Sequence, residues 1–422
     1  MKKSRMLRAV CLVLCVVFLC GCGTANAVEE LLRAPQLSRD TKSLQNALDS
    51  HLGESVQLRY PNEGDFLTPY FFGDWDGDGE QDAAVLYQAS DSANVQLAVL
   101  KRDKSWRVVS TAEGLSPEVD SVQLASMKFK GGTQIIVGYT TASDRYLAVY
   151  DLKEDQLEIV LQQPYTQYLV EDITGDRRDD LVVLSRDSGG KTQVQVLLGS
   201  RESFMQLPLI KLPEEQFSGY ASLAAGRGAK GGQFLVIDGW TGINGQNLAS
   251  AMFRYDAKRQ RMIMAKLPGT TNLYENSIRY VPCLTSRDLD RDGVVEIPVQ
   301  DEETGSVGAT QDERYSFVRW MDFTKRASEE SFGVLLEAYG VYIQLPLEWE
   351  NNVQLAVSEN GILELYNLTG DQLLLQLRVT DEPGVEGWRT IGLAASHRIQ
   401  ARTGLRPDEF DLIGLRNGVY VL

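Results

Sequence analysis

Phe71-Phe72-Gly73-Asp74-Trp75-Asp76-Gly77-Asp78-Gly79-Glu80-Gln81-Asp82-Ala83-Ala84-Val85-Leu86-Tyr87 joins an acid-rich turn to a short apolar run. Counted from Asp74, carboxylates fall at positions 1, 3, 5 and 9 and a glycine at position 6. Alternating positions of a tight loop converge on one point, the glycine permits the reversal, and the position-7 carbonyl adds a further oxygen. Six or seven hard oxygens suit Ca²⁺. A helix-flanked calcium loop needs an acid at position 12, where this stretch has Val85 inside an apolar run. The turn therefore leads into a strand.

The pattern returns twice. Glu171-Asp172-Ile173-Thr174-Gly175-Asp176-Arg177-Arg178-Asp179-Asp180-Leu181-Val182-Val183-Leu184 and Arg287-Asp288-Leu289-Asp290-Arg291-Asp292-Gly293-Val294-Val295-Glu296-Ile297-Pro298-Val299 carry it. Asp74, Asp172 and Asp288 are 98 and 116 residues apart, about twice the length of one repeat unit. Eroded copies lie between them, at Ser126 to Tyr139 and Gly226 to Ile237; both keep the glycine turn and the closing strand and have lost the acids. Hairpin patterns follow each copy, as in Gln96 to Leu100 with Trp106 to Val109, and Leu147 to Tyr150 with Leu157 to Val160. A lead-in strand, a motif strand and a hairpin make a four-stranded sheet. Such sheets stacked radially form a β-propeller. The expected fold is mainly β: five recognisable blades over residues 66–339, with room for up to seven if Thr304 to Tyr339 hides more. Residues 340–422 break the repeat and read as a small β-rich α+β domain with a short helix near Pro407 to Asp411.

These motifs resemble the FG-GAP/VCBS repeats of the integrin α-subunit type of propeller, and the whole arrangement is similar to bacterial VCBS-repeat lipoproteins. The resemblance implies Ca²⁺ on Asp74, Asp76, Asp78 and Asp82 with the Glu80 carbonyl, and on Asp288, Asp290, Asp292 and Glu296 with the Val294 carbonyl. The middle copy offers Asp172, Thr174, Asp176 and Asp180 but departs from the pattern, with Thr174 for an acid and Arg177 for the glycine. There, Arg177 or Arg178 can neutralise the acids without a metal.

The N-terminus reads as an address. Lys2, Lys3, Arg5 and Arg8 precede the apolar run Ala9 to Leu19, which is too short to span a bilayer. Leu19-Cys20-Gly21-Cys22 resembles a bacterial lipobox, so residues 1–21 are expected to be a signal peptide and Cys22 the lipidated residue. Residues 22–65 are expected to hold a tether and a helix, in which Leu44, Ala47, Leu48 and His51 share one face. Loss of the signal leaves Cys283 as the one unmodified cysteine, so no internal disulfide ties the loops.

The 422 residues carry 42 Lys+Arg against 58 Asp+Glu, a formal charge of −16 that becomes −20 without the signal. This acidity argues against nucleic acid as a partner. The only histidines are His51 and His397, which leaves little for histidine catalysis or a zinc site. Gly226-x-Gly228-x-x-Gly231 matches a dinucleotide fingerprint in letters, but a strand follows it where a helix is needed. The functional expectation is a non-enzymatic, lipid-anchored, extracytoplasmic binding or scaffold protein that presents a face to a protein or glycan. The alternative is an envelope-polysaccharide hydrolase using a carboxylate pair.

Overall fold

The computed structural model describes residues 39–422 apart from 54–55, 129–130, 200–203, 214–215, 229–230, 268–272, 301–313, 326–327 and 383. The expected signal peptide, Cys22 and most of the tether lie outside the described residues.

The described residues are mainly β, built as six antiparallel sheets. Helix α1 (Arg39–Leu52) comes first. The first sheet sets β1 (Gln57–Leu58) and β2 (Tyr70–Gly73) along one edge of β3 (Asp82–Gln88), followed by β4 (Gln96–Arg102) and β5 (Trp106–Glu113). The second is a four-stranded meander of β6 (Glu118–Ala125), β7 (Gln134–Thr140), β8 (Arg145–Lys153) and β9 (Gln156–Pro164). The third repeats this order with β10 (Gln167–Glu171), β11 (Asp180–Arg186), β12 (Thr192–Gly199) and β13 (Phe204–Gln206). The fourth has β14 (Gly219–Arg227), β15 (Gln233–Thr241), β16 (Asn247–Asp256) and β17 (Arg261–Met264), and the short helix α2 (Leu273–Asn276) follows it. The fifth runs β18 (Ile297–Val299), β19 (Tyr315–Asp322), β20 (Ser328–Leu336) and β21 (Val341–Leu345), and takes in the C-terminal β27 (Val419–Val421). The sixth orders β22 (Val353–Val357), β23 (Leu363–Asn367), β24 (Leu373–Thr380), β26 (His397–Arg402) and β25 (Arg389–Ala394).

Each of the first five sheets buries its two faces against different neighbours, which is why the strand after each motif reads as a continuous apolar run. In β3, Ala84 and Leu86 join the core shared with the second sheet, while Ala83, Val85 and Tyr87 meet Leu44 and Leu48 of α1. In β11, Leu181 and Val183 face the second sheet, and Val182 and Leu184 the fourth. Ala224 and Val236 of the fourth sheet meet Val295 and Ile297 of the fifth, whose Val334 and Ile343 pack on Leu365 and Leu375 of the sixth. The sheets thus follow one another in space as they do in sequence.

Three expectations are corrected. The boundary at residue 340 falls inside a sheet: β21 pairs with β20 on one side and β27 on the other, so residues 341–345 and 419–421 complete the fifth sheet. Residues 341–345 carry no motif that marks them as part of the repeat, but unpaired edge groups on β20 recruit any extended chain nearby. The helix expected near Pro407 to Asp411 is a turn at 407–409; the helical piece of this region is a 3-10 turn at Gly414–Gly418. Among the described residues, Thr304 to Tyr339 supplies the β19–β20 hairpin of the fifth sheet and no further sheet.

Candidate metal centres in the motif loops

Each motif loop is closed by its own backbone before any ion is considered. In the first loop, Asp74 Oδ1 accepts from the amides of Gly77 (2.7 Å) and Asp78 (3.1 Å), and Oδ2 from Gly79 (3.0 Å). Asp172 repeats this with Gly175 (2.6 Å), Asp176 (3.2 Å) and Arg177 (2.8 Å). Asp288 keeps two of the three, Asp292 (3.1 Å) and Gly293 (2.8 Å). Position 5 caps position 7 in every copy, as Asp78 to Glu80 (2.8 Å), Asp176 to Arg178 (3.0 Å) and Asp292 to Val294 (2.7 Å).

The turn needs left-handed backbone twice. Positions 4 and 6 have φ of +80° and +88° at Gly77 and Gly79, +81° and +68° at Gly175 and Arg177, and +66° and +87° at Arg291 and Gly293. The first loop has glycine at both positions; the other two hold one arginine each in a conformation that side chains rarely adopt.

Position 9 turns inward. Asp82 Oδ2 accepts from the Trp75 amide (3.2 Å), Asp180 Oδ2 from Ile173 (3.0 Å) and Thr174 (3.1 Å), and Glu296 Oε2 from Leu289 (2.8 Å). Burial pushes these carboxyls up, to about 6 at Asp82, about 7 at Asp180 and about 8 at Glu296, with the neighbouring loop acids adding to the effect.

The copies differ in what gathers at the centre. Asp288, Asp290 and Glu296 bring one oxygen each to within 4.8 Å of one another, and so do Asp74, Asp76 and Asp78. Asp82 stands outside the first group and Asp292 outside the second. Asp172, Asp176 and Asp180 form no such group among the described residues. In that middle loop Arg178 lies on Asp176, with Nε at 3.1 Å from Oδ2, and Thr174 Oγ1 is 3.5 Å from Asp172. This guanidinium offsets the Asp176 carboxylate from within the loop.

The first loop holds a cation of its own. Lys101, at the end of β4, pairs with Asp76 and also with Asp155 at 2.6 Å. Burial works against the Asp76 carboxylate, yet the Lys101 ammonium outweighs it and holds its pKa below the usual range. Both side chains are largely covered, at 18% and 20% exposed. Among the described residues the third loop has no such ammonium, and Arg227 reaches it at the Asp292 backbone carbonyl, 2.8 Å away. Its donor set of hard oxygens fits Ca²⁺. Lys101 and Arg227 come from neighbouring strands, and nothing in the motif spacing signals either.

The loops also touch in a row. Thr133 of the second sheet donates to the Asp74 carbonyl (2.7 Å), and a Cβ on Gly132 would lie 1.8 Å from the Trp75 carbonyl oxygen, so only glycine permits that contact. Ser126 donates to Asp179 Oδ2 (2.6 Å), which gives that acid a structural partner in the next sheet. Arg227 donates its amide to the Gly293 carbonyl (2.8 Å).

Away from the loops, His397 Nδ1 lies 2.7 Å from Asp381. Trp75, Trp106 and Trp320 are buried in cores. Among the described residues no helix is long and apolar enough to cross a membrane.

No protein-family model matches this sequence, and no curated protein matches it. Among solved structures, the chain is similar to a Lactobacillus plantarum protein at 8% identity and a TM-score of 0.31, covering 74% of this chain and 77% of that one. A Dyadobacter fermentans protein of unknown function matches at 10% identity and a TM-score of 0.30, over 83% of this chain and 98% of that one. An exotype rhamnogalacturonan lyase, YesX, matches at 11% identity and a TM-score of 0.23, over 59% and 62%.

Proposed function

We propose that this chain is an extracytoplasmic binding or scaffold protein, lipid-anchored at Cys22, whose successive sheets form a Ca²⁺-stabilised β-propeller of FG-GAP/VCBS type. The observation that carries the calcium reading is the third loop, where Asp288, Asp290 and Glu296 converge and no ammonium pairs with them among the described residues. The ion would be held by these carboxylates, with Asp292 and the Val294 carbonyl beside them. Its chemistry there is that of a staple: it neutralises acids that otherwise repel one another. Extracellular modules bind Ca²⁺ at about 10⁻⁴ to 10⁻³ M.

The raised carboxyls of Asp82, Asp180 and Glu296 are the groups an acid catalyst would draw on. Each instead accepts amide N–H bonds of its own loop and is at most 3% exposed, which favours the binding reading over the hydrolase. The reading is tested by calorimetric Ca²⁺ titration of residues 29–422, with one site of sub-millimolar to millimolar affinity expected; absence of any binding event up to 10 mM (about ten times the weaker expected Kd) overturns it. The anchor is tested by Cys22→Ser in the full chain, which should move the protein from the membrane fraction to the soluble one.

A further inference from the structure

The sixth sheet ends the succession with a face unlike the others among the described residues. Leu363, Leu365, Leu375, Leu377, Ile399 and Ala401 point into the core shared with the fifth sheet. Side chains alternate across a strand, so Glu364, Tyr366, Gln376, Arg378, Gln400 and Arg402 occupy the opposite face, where no hydrophobic cluster forms among the described residues. Trp388, from the loop between β24 and β25, lies against this face between two guanidiniums, with Arg378 at 4.4 Å and Arg402 at 4.7 Å from its ring centroid.

Both guanidiniums are fixed from below by buried amides. Arg378 donates through Nε (3.0 Å) and Nη2 (2.7 Å) to Gln400 Oε1, and Arg402 donates to Gln376 Oε1. Gln400 and Gln376 are 0% and 6% exposed, and Gln376 is itself tied to Glu364 at 2.5 Å. Among the described residues neither arginine has a carboxylate partner: the ion pairs of this part of the chain are Arg319 with Glu350, His397 with Asp381, and Arg406 with Asp408 and Glu409. Two cations are thus held in place with donors to spare, in a chain whose acids outnumber its bases. The composition agrees, since after Lys325 the sequence contains seven arginines and no lysine. Arginine, with its planar fork, is the cation suited to gripping carboxylates in pairs of hydrogen bonds.

We propose that this outer face of the sixth sheet is a docking surface for an acidic protein segment, gripped through its carboxylates by Arg378 and Arg402 on the Trp388 platform. A protein is the occupant favoured because a broad sheet face bearing tryptophan, tyrosine and arginine has the composition of an interface hot spot. Val385, 41% exposed in the same loop as Trp388, adds an apolar rim. The proposal rests on the binding-protein reading and names one of its partners by chemistry.

The test is fluorescence polarisation of labelled poly-L-glutamate against the full chain at low salt. Binding is expected, weakening about tenfold or more in R378Q/R402Q and in W388A, and only partly restored in R378K/R402K, which keeps the charge without the fork. Folding of each variant is read from its thermal melt, and the lysine variant keeps the test decisive if the glutamine one unfolds. No binding by the wild type, equal binding by R378Q/R402Q, or tighter binding of polygalacturonate than of poly-L-glutamate overturns the proposal, the last in favour of an acidic glycan. Calcium response is measured on the same samples: a Ca²⁺-dependent melt that persists while poly-L-glutamate fails to bind removes this surface and leaves the calcium reading standing.

Discussion

The loops at 74–82 and 288–296 share a spacing, a pair of left-handed residues and a ladder of carboxylate-capped amides, and each gathers three carboxylates. They part over a single side chain from outside the motif. Lys101 reaches from β4 onto Asp76, whereas among the described residues the later loop meets the Arg227 guanidinium at a backbone carbonyl. The same acids can therefore be balanced by a built-in ammonium or by a bound ion. Which of the two occurs depends on the neighbouring strand. The loop at 172–180 extends the contrast, because Arg178 supplies the balancing charge from within the motif.

The largest expected effect separates the loops by pH. Burial and three neighbouring acids raise the Glu296 carboxyl to about 8, and Ca²⁺ needs it ionised, so binding must release a proton there. Apparent affinity should fall about tenfold per pH unit below about 8, measured by titration between pH 6 and 9; a flat profile would remove Glu296 from the ligand set.

Next in size, saturating Ca²⁺ at ten to twenty times Kd should add roughly 1.4 to 1.8 kcal/mol to the wild type. Asp290→Ala should abolish that gain and Asp76→Ala should leave most of it. A thermal melt with Ca²⁺ or chelator reads both, and equal responses in the two variants would erase the distinction between the loops.

Lys101→Met should then convert the first loop into the second kind. Loss of a partly covered ammonium is expected to cost about 1 kcal/mol without Ca²⁺, and the calorimetric stoichiometry should rise from one ion to two.

The smallest effect concerns the middle loop. Asp180 is raised to about 7 by burial, above its unfolded value, so the folded state binds more protons between about pH 4 and 7. Its stabilisation is present at low pH and lost as pH rises through 7. Asp180→Asn keeps an acceptor for Ile173 and Thr174 and should be more stable than the wild type at pH 8, on the order of 1 kcal/mol, with no dependence on Ca²⁺. Urea melts at pH 5 and pH 8 measure this, and a variant that loses stability at pH 8 would count against it.

Much of the architecture was legible because two signals coincide: period-2 strands bounded by turn residues, and an acid-glycine turn at a repeating distance. The hairpins at Gln96 to Val109 and Leu147 to Val160 were visible in this way. The closure of the fifth sheet was not, since Val341–Leu345 and Val419–Val421 are paired across more than seventy residues that share no pattern with them. The candidate ligands were legible as a set, but not the exclusion of Asp82 and Asp292 from the converging groups. The spacing of the acids does not tell which carboxylates turn toward the centre of the loop.

By itself, then, the sequence determined the strands, the repeat, the acid loops and the chemistry that those loops can offer. These are local properties, set by side-chain periodicity and by the few residues that can close a tight turn. Only the tertiary structure decided which loop has its charge already balanced, and that two arginines of the last sheet stack on one tryptophan. Electrostatic balance depends on distance in space, and Lys101 reaches Asp76 from 25 positions away along the chain.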